Sequence, residues 1–169
     1  DHITLWNHLM EAGKPHGLEF SSTRAMTIRR IEGGILGNTI DMDETMTPYE
    51  AGLGLFVDME KGDFVGRDAL VGKDKRPLLF GLTCEGATPT SSSEIMDGTK
   101  VVGNITAGVP SPTLRVGIGY ARFHYQDEWV GRKMVLRLPD GACHSCDIVK
   151  LPFFDRERHI VRGIDRKIP

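Results

Sequence analysis

Apolar residues along the chain fall into two regimes. Up to about residue 72 they recur at helical spacings, in short bursts broken by glycine. Beyond residue 77 they alternate with a period of 2. Leu5, Leu9 and Ala12 stand at i, i+4 and i+7 with Trp6 and Met10 beside them, and predict an amphipathic helix opening the chain at Asp1. Gly13 stands where the left-handed residue after a helix belongs, and Pro15 follows, so this helix is expected to stop there. A second helix is expected from Ser22 to Arg30, with Ser22 or Thr23 as N-cap and Gly33-Gly34 and Gly37-Asn38 breaking regular structure. Thr47-Pro48-Tyr49-Glu50 fits a capping box, which predicts a short helix interrupted by Gly52 and Gly54. Leu53, Leu55, Phe56 and Val57 then read as a buried strand or turn. A further short helix is expected near Gly66, over Arg67 to Leu70.

Gly72 to Pro77 is charged and ends in proline, as a linker would. After it the period of 2 predicts strands over Leu78–Cys84, Glu94–Met96, Lys100–Gly108, Thr113–Phe123, Arg132–Leu138 and Cys143–Val149. Pro139-Asp140-Gly141 joins the last two as a hairpin, because proline presets φ and glycine accepts a positive one. Ala87 to Ser93 reads as a polar loop. Short strands at this spacing imply a small antiparallel barrel or sandwich. The tail from Asp155 is dense in charge and is expected to be exposed.

Composition narrows the function. With 21 basic and 23 acidic side chains the net charge is -2, which excludes the clustered cations of a nucleic-acid binder. No apolar run approaches the ~20 residues of a membrane-spanning helix. Three cysteines in 169 residues do not make a disulfide framework, so a reducing, cytoplasmic compartment is expected. The chain opens directly on a helix, with no initiator Met, basic n-region or apolar h-region before it. It is therefore expected to be the C-terminal part of something longer.

Candidate chemistry is sparse. Cys143-His144-Ser145-Cys146 lacks the further ligands of a zinc site, and on a strand its two sulfurs diverge, so ordinary packing is the reading and no metal site is assigned. Asn38 to Glu44 lacks the sixth-position glycine and twelfth-position glutamate of a calcium loop and reads as a solvated acidic turn. Gly117-Ile118-Gly119-Tyr120 is no dinucleotide fingerprint. It reads as a strand whose small residues let another backbone come near. Arg29-Arg30-Ile31-Glu32-Gly33-Gly34 leaves two alternatives: an internal salt bridge bracing the helix end, or an arginine aimed into a cleft to meet a polar or anionic ligand.

Five segments, in order, carry a resemblance. They are Leu5-Trp6 with Met10 to Gly13, Arg30 to Gly34, Thr47 to Leu53, Lys61 to Leu70, and Val102 to Gly108 with Ser111 to Leu114. Together they resemble the aminomethyltransferase (glycine cleavage T-protein) family over residues 1 to about 154. The last segment is similar to that family's G-x-x-T-S-G … S-P-x-L stretch. The resemblance implies an α+β chain: an incomplete α/β segment of a folate-binding domain (1–72), an antiparallel β-barrel (77–154) and a charged tail (155–169). It implies a tetrahydrofolate-dependent one-carbon transferase whose donor is a small molecule or is carried by a protein. The family's Asp at folate's reactive nitrogen and its pterin-holding Glu lie upstream of the opening helix and have no counterpart here. No catalytic residue is therefore assigned, and a missing N-terminal half is an expected partner. Arg30 matches the arginine of the family's L-R-L-E-A-G run and is the one folate-binding candidate; Glu32 matches its glutamate and is given a bracing role.

Departures from the family pattern set the alternatives. Arg29 replaces a leucine and Gly33 an alanine, and Arg-Ile-Glu-Gly-Gly is nearer the R-I-E-x-G form of the family's folate-dependent demethylases. A demethylase, or a non-catalytic folate-binding or docking module, is the alternative. Asp63 stands where the iron–sulfur maintenance branch carries its defining cysteine, which counts that branch out. An Arg30 that lines the folate cleft should lack a close, fully buried carboxylate. A bracing Arg30 should pair with Glu32 or Asp41.

Overall fold

The structure, a computed structural model, describes residues 1–166; the last three residues of the expected tail, Lys167 to Pro169, lie outside it. Six antiparallel strands close into a barrel: β1 (Leu79–Cys84), β2 (Glu94–Asp97), β3 (Lys100–Ser111), β4 (Val116–Phe123), β5 (Lys133–Arg137) and β6 (Cys143–Val149). Around the barrel the order is β1-β4-β3-β2-β5-β6, and β6 pairs back onto β1. Alternation decides which side chain goes where. Phe80, Leu82 and Cys84 of β1, with Ala121 and Phe123 of β4, point into a core completed by Ile95, Ile105, Leu136 and Ile148. Trp129 caps this core, stacked on Phe123 with ring centroids 4.0 Å apart. The hairpin forms as expected: the Leu138 amide donates to Ala142, and Gly141 takes φ 88°.

The other face of β1 and β4 carries Leu79, Ile118 and Tyr120, which pack with Val109, Phe153 and Ile31. Ile31 belongs to α2 (Thr23–Glu32), the helix laid against β3 and β4. The short side chains on β3 and β4 answer the expectation of close approach. A Cβ at Gly117 would lie 2.0 Å from the Ala87 carbonyl oxygen, and one at Gly108 2.2 Å from that of Pro89. The strand read as Lys100–Gly108 runs on to Ser111, and the one read from Thr113 begins only at Val116. Between them the chain turns, with Arg115 at φ 59° and its amide donating to Ser111.

Several expectations for the first 72 residues are corrected. The opening helix α1 (His2–Gly13) forms, but Gly13 does not end it in a left-handed turn. A 3-10 turn over Lys14–His16 continues the coil, Pro15 being tolerated in its first positions, and Gly17 supplies the positive φ. Thr47 and Glu50 do exchange capping hydrogen bonds: the Thr47 amide donates to Glu50 Oε2 (2.7 Å) and the Glu50 amide to Thr47 Oγ1 (3.2 Å). They close a turn rather than a helix, since Gly52 takes φ 73° within one turn of the cap. Leu55 and Phe56, expected to be buried, sit on a 3-10 turn (Gly54–Phe56) at 80% and 72% exposure. The short helix α3 (Arg67–Leu70) forms where expected. No helix among the described residues is long and apolar enough to cross a membrane.

Candidate functional site

The end of α2 is where charge is buried. Ser22 caps the helix start, its Oγ accepting from the Ala25 amide, and ten residues later the chain delivers Arg29, Arg30 and Glu32 to the surface of the barrel. Gly34 follows at φ 69°, with Pro152 packed where a side chain would stand. Arg30 Nη1 donates to Asp41 Oδ2 at 2.6 Å and to the Ile35 carbonyl at 2.9 Å. Asp41 is fully buried and accepts two more hydrogen bonds, from the Gly37 amide (2.7 Å) and from Thr106 Oγ1 of β3 (2.6 Å). One carboxylate thus ties together a helix end, a turn and a barrel strand. A carboxylate so surrounded has its oxygens met by donors, which is the condition for burying one at all.

Glu32 makes the second tie. Its Oε1 accepts from Ser111 Oγ (2.5 Å) and its Oε2 from Thr113 Oγ1 (3.2 Å), while its carbonyl accepts from the amides of Phe153 and Phe154. Arg29 Nη1 stands 3.8 Å from Oε2 on the exposed side. Two of the segments quoted above, Arg30-to-Gly34 and Ser111-to-Leu114, therefore meet through Glu32. Tyr120 lies beneath the Arg30 tie. Its hydroxyl donates to the Ile35 carbonyl at 3.0 Å, its ring carries the Arg30 guanidinium 5.7 Å above, and burial raises its phenol well above the ordinary value. The phenol stays neutral and serves as a donor.

Beyond Thr106 the polar surface continues to Arg122, which pairs with Asp43 at 3.1 Å. Hydrogen bonds from the hydroxyl and amide of Thr45, then the Arg122 guanidinium, lower the Asp43 carboxyl to about 2. His124 Nε2 lies 2.8 Å from Asn104 Oδ1 beside them, along a cleft of about 520 Å³. At the α2 terminus itself, Gly33, Gly34, Leu36, Leu79 and Pro152 line a cleft of about 680 Å³.

The structure brings Arg30 together with the buried partner that an arginine used only for ligand would lack. The bracing contact is present, and it is with Asp41, not Glu32. The cause is the Gly37–Asp41 turn, which folds back so that the acidic segment read as solvated places Asp41 at 0% exposure. Only Nη1 is spent on this brace. Nε and Nη2 donate to no other side chain or carbonyl among the described residues, and the Arg30 side chain keeps 23% exposure. Cys143 and Cys146 diverge as expected, one exposed and one buried. Asp41 is one of the two partners expected of a bracing Arg30, whereas Thr106 and Tyr120 are not singled out by sequence reasoning; Thr106 is legible only as the threonine of the quoted G-x-x-T stretch.

Comparison with known proteins accords with this joining of segments. Residues 1–61 match the profile described as the GCVT N-terminal domain, and residues 78–155 match the glycine cleavage T-protein C-terminal barrel domain. The chain belongs to the glycine cleavage T-protein family. Aminomethyltransferases of Alkaliphilus oremlandii and Streptomyces avermitilis are similar to it. The first is 37% identical over 156 residues (90% of this chain, 42% of the relative) and the second 35% over 165 (91% and 44%). That of Caldanaerobacter subterraneus subsp. tengcongensis is 35% identical over 136 residues (78% and 36%). The chain thus spans less than half the length of these T-protein relatives. The solved aminomethyltransferase T of the Bartonella henselae glycine cleavage system superposes with a TM-score of 0.76 at 21% identity, covering 90% of this chain and 44% of that one, and shares its fold. Within the family match, the α2 terminus lies in the first matched domain, and its partners Thr106, Ser111 and Tyr120 in the second.

Proposed function

We propose that this chain works as part of a tetrahydrofolate-dependent aminomethyltransferase, in which the α2 terminus and the barrel form one wall of the folate cleft. The observation that carries the reading is the double tie, Arg30–Asp41–Thr106 and Glu32–Ser111, at the place where the two family-matched regions meet. The site's donors suit such a ligand. A guanidinium fixed through Nη1 presents Nε and Nη2 in a preset fork, beside Ile35 and Ile40 at 61% and 58% exposure. A flat heteroaromatic ligand with polar edges needs that mixture of oriented donors and apolar surface. Tetrahydrofolate, when bound, supplies the ring nitrogen that accepts the one-carbon unit. The part of Arg30 is to orient the acceptor with its free edge while Asp41 keeps the guanidinium from turning; Tyr120 and Glu32 hold the wall. Positioning of this kind supplies most of what such a transfer asks of protein. The donor is a small molecule or a group carried on a protein, and the compartment is cytoplasmic, in keeping with three unpaired cysteines.

The test links this chain to the N-terminal segment of the Alkaliphilus oremlandii relative and measures aminomethyl transfer to tetrahydrofolate, with the chain alone as control. Turnover is expected only from the linked protein. Arg30→Lys, which preserves the charge facing Asp41 but removes the fork, is expected to raise the KM for tetrahydrofolate about tenfold or more, the loss of roughly one charge-assisted hydrogen bond. Robust turnover by the chain alone would overturn the assignment of catalytic groups to the part outside the match. Failure of the linked protein to bind folate would overturn the reading itself.

A further inference from the structure

Two of the three cysteines face each other across the seam that closes the barrel. β1 and β6 are its first and last strands, and their register pairs Cys84 with Cys146. The phase of the hydrogen bonds along both strands defines what kind of pair this is. The Leu78 carbonyl, just before β1, accepts from Phe123 at the end of β4, so even-numbered residues of β1 turn their backbone groups towards β4. On β6, the Ile148 amide donates to Arg132 and its carbonyl accepts from Gly131, so Ile148 and, two residues earlier, Cys146 turn theirs towards the β5 side. Cys84 and Cys146 are therefore a non-hydrogen-bonded pair. There the Cα atoms of antiparallel strands approach to about 4.5 Å, inside the ~4.4–6.8 Å that a disulfide bridges.

Both side chains point the same way. Opposed residues share a face, and both cysteines belong to the interior core at 1% exposure. Cys84 Sγ already crosses the seam, lying 3.4 Å from the Ser145 carbonyl of β6 as its donor. Cys143, on the outer side of the same strand, is exposed and takes no part.

We infer that Cys84 and Cys146 form a dithiol site that a small-molecule disulfide oxidises to an intramolecular bond across the barrel seam. The reaction balances as two exchanges. One cysteine thiolate attacks the small disulfide, forms a mixed disulfide and releases one thiolate. The second cysteine thiolate then attacks the protein sulfur of that mixed disulfide, the Cys84–Cys146 bond forms, and a second small thiol leaves. Two thiols of the protein are oxidised and one small disulfide is reduced to two thiols. Burial sets the pace: it pushes the Cys84 thiol up and the Cys146 thiol to about 12, so reactive thiolate is scarce while the barrel is closed. Oxidation therefore proceeds when the seam opens, and the bond, once made, is shielded by the same core. The bond would close a loop from residue 84 to residue 146, covering most of the barrel.

The test uses the 169-residue chain carrying Cys143→Ser, so that the pair are the only thiols. It is held with oxidised glutathione at the foot of its urea transition, returned to buffer, and examined by intact mass, thiol titration in denaturant and thermal unfolding. The expected product is a monomer lighter by two hydrogens, with both thiols lost together and no glutathione adduct. Its Tm should rise by roughly 5–15 °C, reversed by dithiothreitol. A companion carrying Cys84→Ala as well should stop at a glutathione adduct on Cys146 and gain no stability. Two thiols still free, adducts at single cysteines of the paired protein, linked dimers, or a bond that leaves Tm unchanged or lower would each overturn the proposal.

Discussion

The barrel and the opening helix dispose of their apolar side chains in opposite ways. In the barrel, Leu82, Ile95, Ile105, Leu136 and Ile148 are all below 2% exposure, packed on one another inside a sheet with no free edge. In α1 no residue is buried; Leu5, Trp6 and Leu9 lie at 60%, 47% and 54%, and Trp6 meets Phe20 edge-on, 5.4 Å away between ring centroids. Both regions have regular periodicity in sequence. Periodicity therefore tells which face of an element is apolar, and the partner that covers the face decides whether it contributes to stability. Between these extremes stands the α2 terminus, which reaches the barrel through Ile31 and through two buried carboxylates.

Substitutions should separate the regions by size of effect. Trp129→Ala, which empties the cap of the barrel core, should cost about 3–5 kcal/mol in urea unfolding, whereas Leu9→Ala on α1 should stay within about 0.5 kcal/mol. Equal losses at the two positions would contradict the comparison. At the junction, Arg30→Ala strands Asp41 as an unpaired charge at 0% exposure and should cost about 2–4 kcal/mol. A loss of that size is what a brace implies and what an arginine used only for ligand does not. Arg30→Ala unfolding at the normal urea concentration would show that the tie to Asp41 carries no weight.

The contrast also explains what could be read from sequence. All six strands were legible because short apolar runs bounded by turn residues are a local signal; β6 was delimited to the residue, while β1 and β4, buried on both faces, show a near-continuous apolar run in place of strict alternation. The closure of the barrel, β6 returning to β1, was not legible, since pairing order has no local code. The α2 cap at Ser22 was legible for the same reason as the strands. The Arg30–Asp41 pair was open as one of two alternatives, because it depends on where a glycine turn eleven residues downstream brings the chain. Leu55 and Phe56 were misread as buried: apolar character was visible, while the absence of a covering neighbour among the described residues was not.

Smaller effects sharpen the picture of the loop segment. Thr47→Ala removes one half of the exchanged bonds with Glu50 and should cost about 1 kcal/mol, measured by the same unfolding, with Glu50→Ala adding less than its separate cost because the two act together. The smallest effect is electrostatic. Asp43 is held at about 2 by Thr45 and Arg122, below the ~3.9 of an unfolded aspartate, so its contribution is complete above pH ~4 and lost as pH falls towards 2. Asp43→Asn should flatten that part of the acid limb and leave stability at pH 7 only slightly lower, since the pair is more than a third exposed on the Asp side. An unchanged acid limb would remove Asp43 from the account.

Native-state hydrogen exchange tests the contrast most directly. Amides of β1, β4 and β6 around Leu82, Ala121 and Ile148 are expected to exchange only through global unfolding. The amides of α2 near Ile31 should follow at intermediate protection, and those of α1 should exchange fastest of the three. If the amides of α1 proved as protected as those of the barrel strands in the monomeric chain, the claim that the barrel alone closes its own core, with the α2 terminus fastened to it through Asp41 and Glu32, would be contradicted.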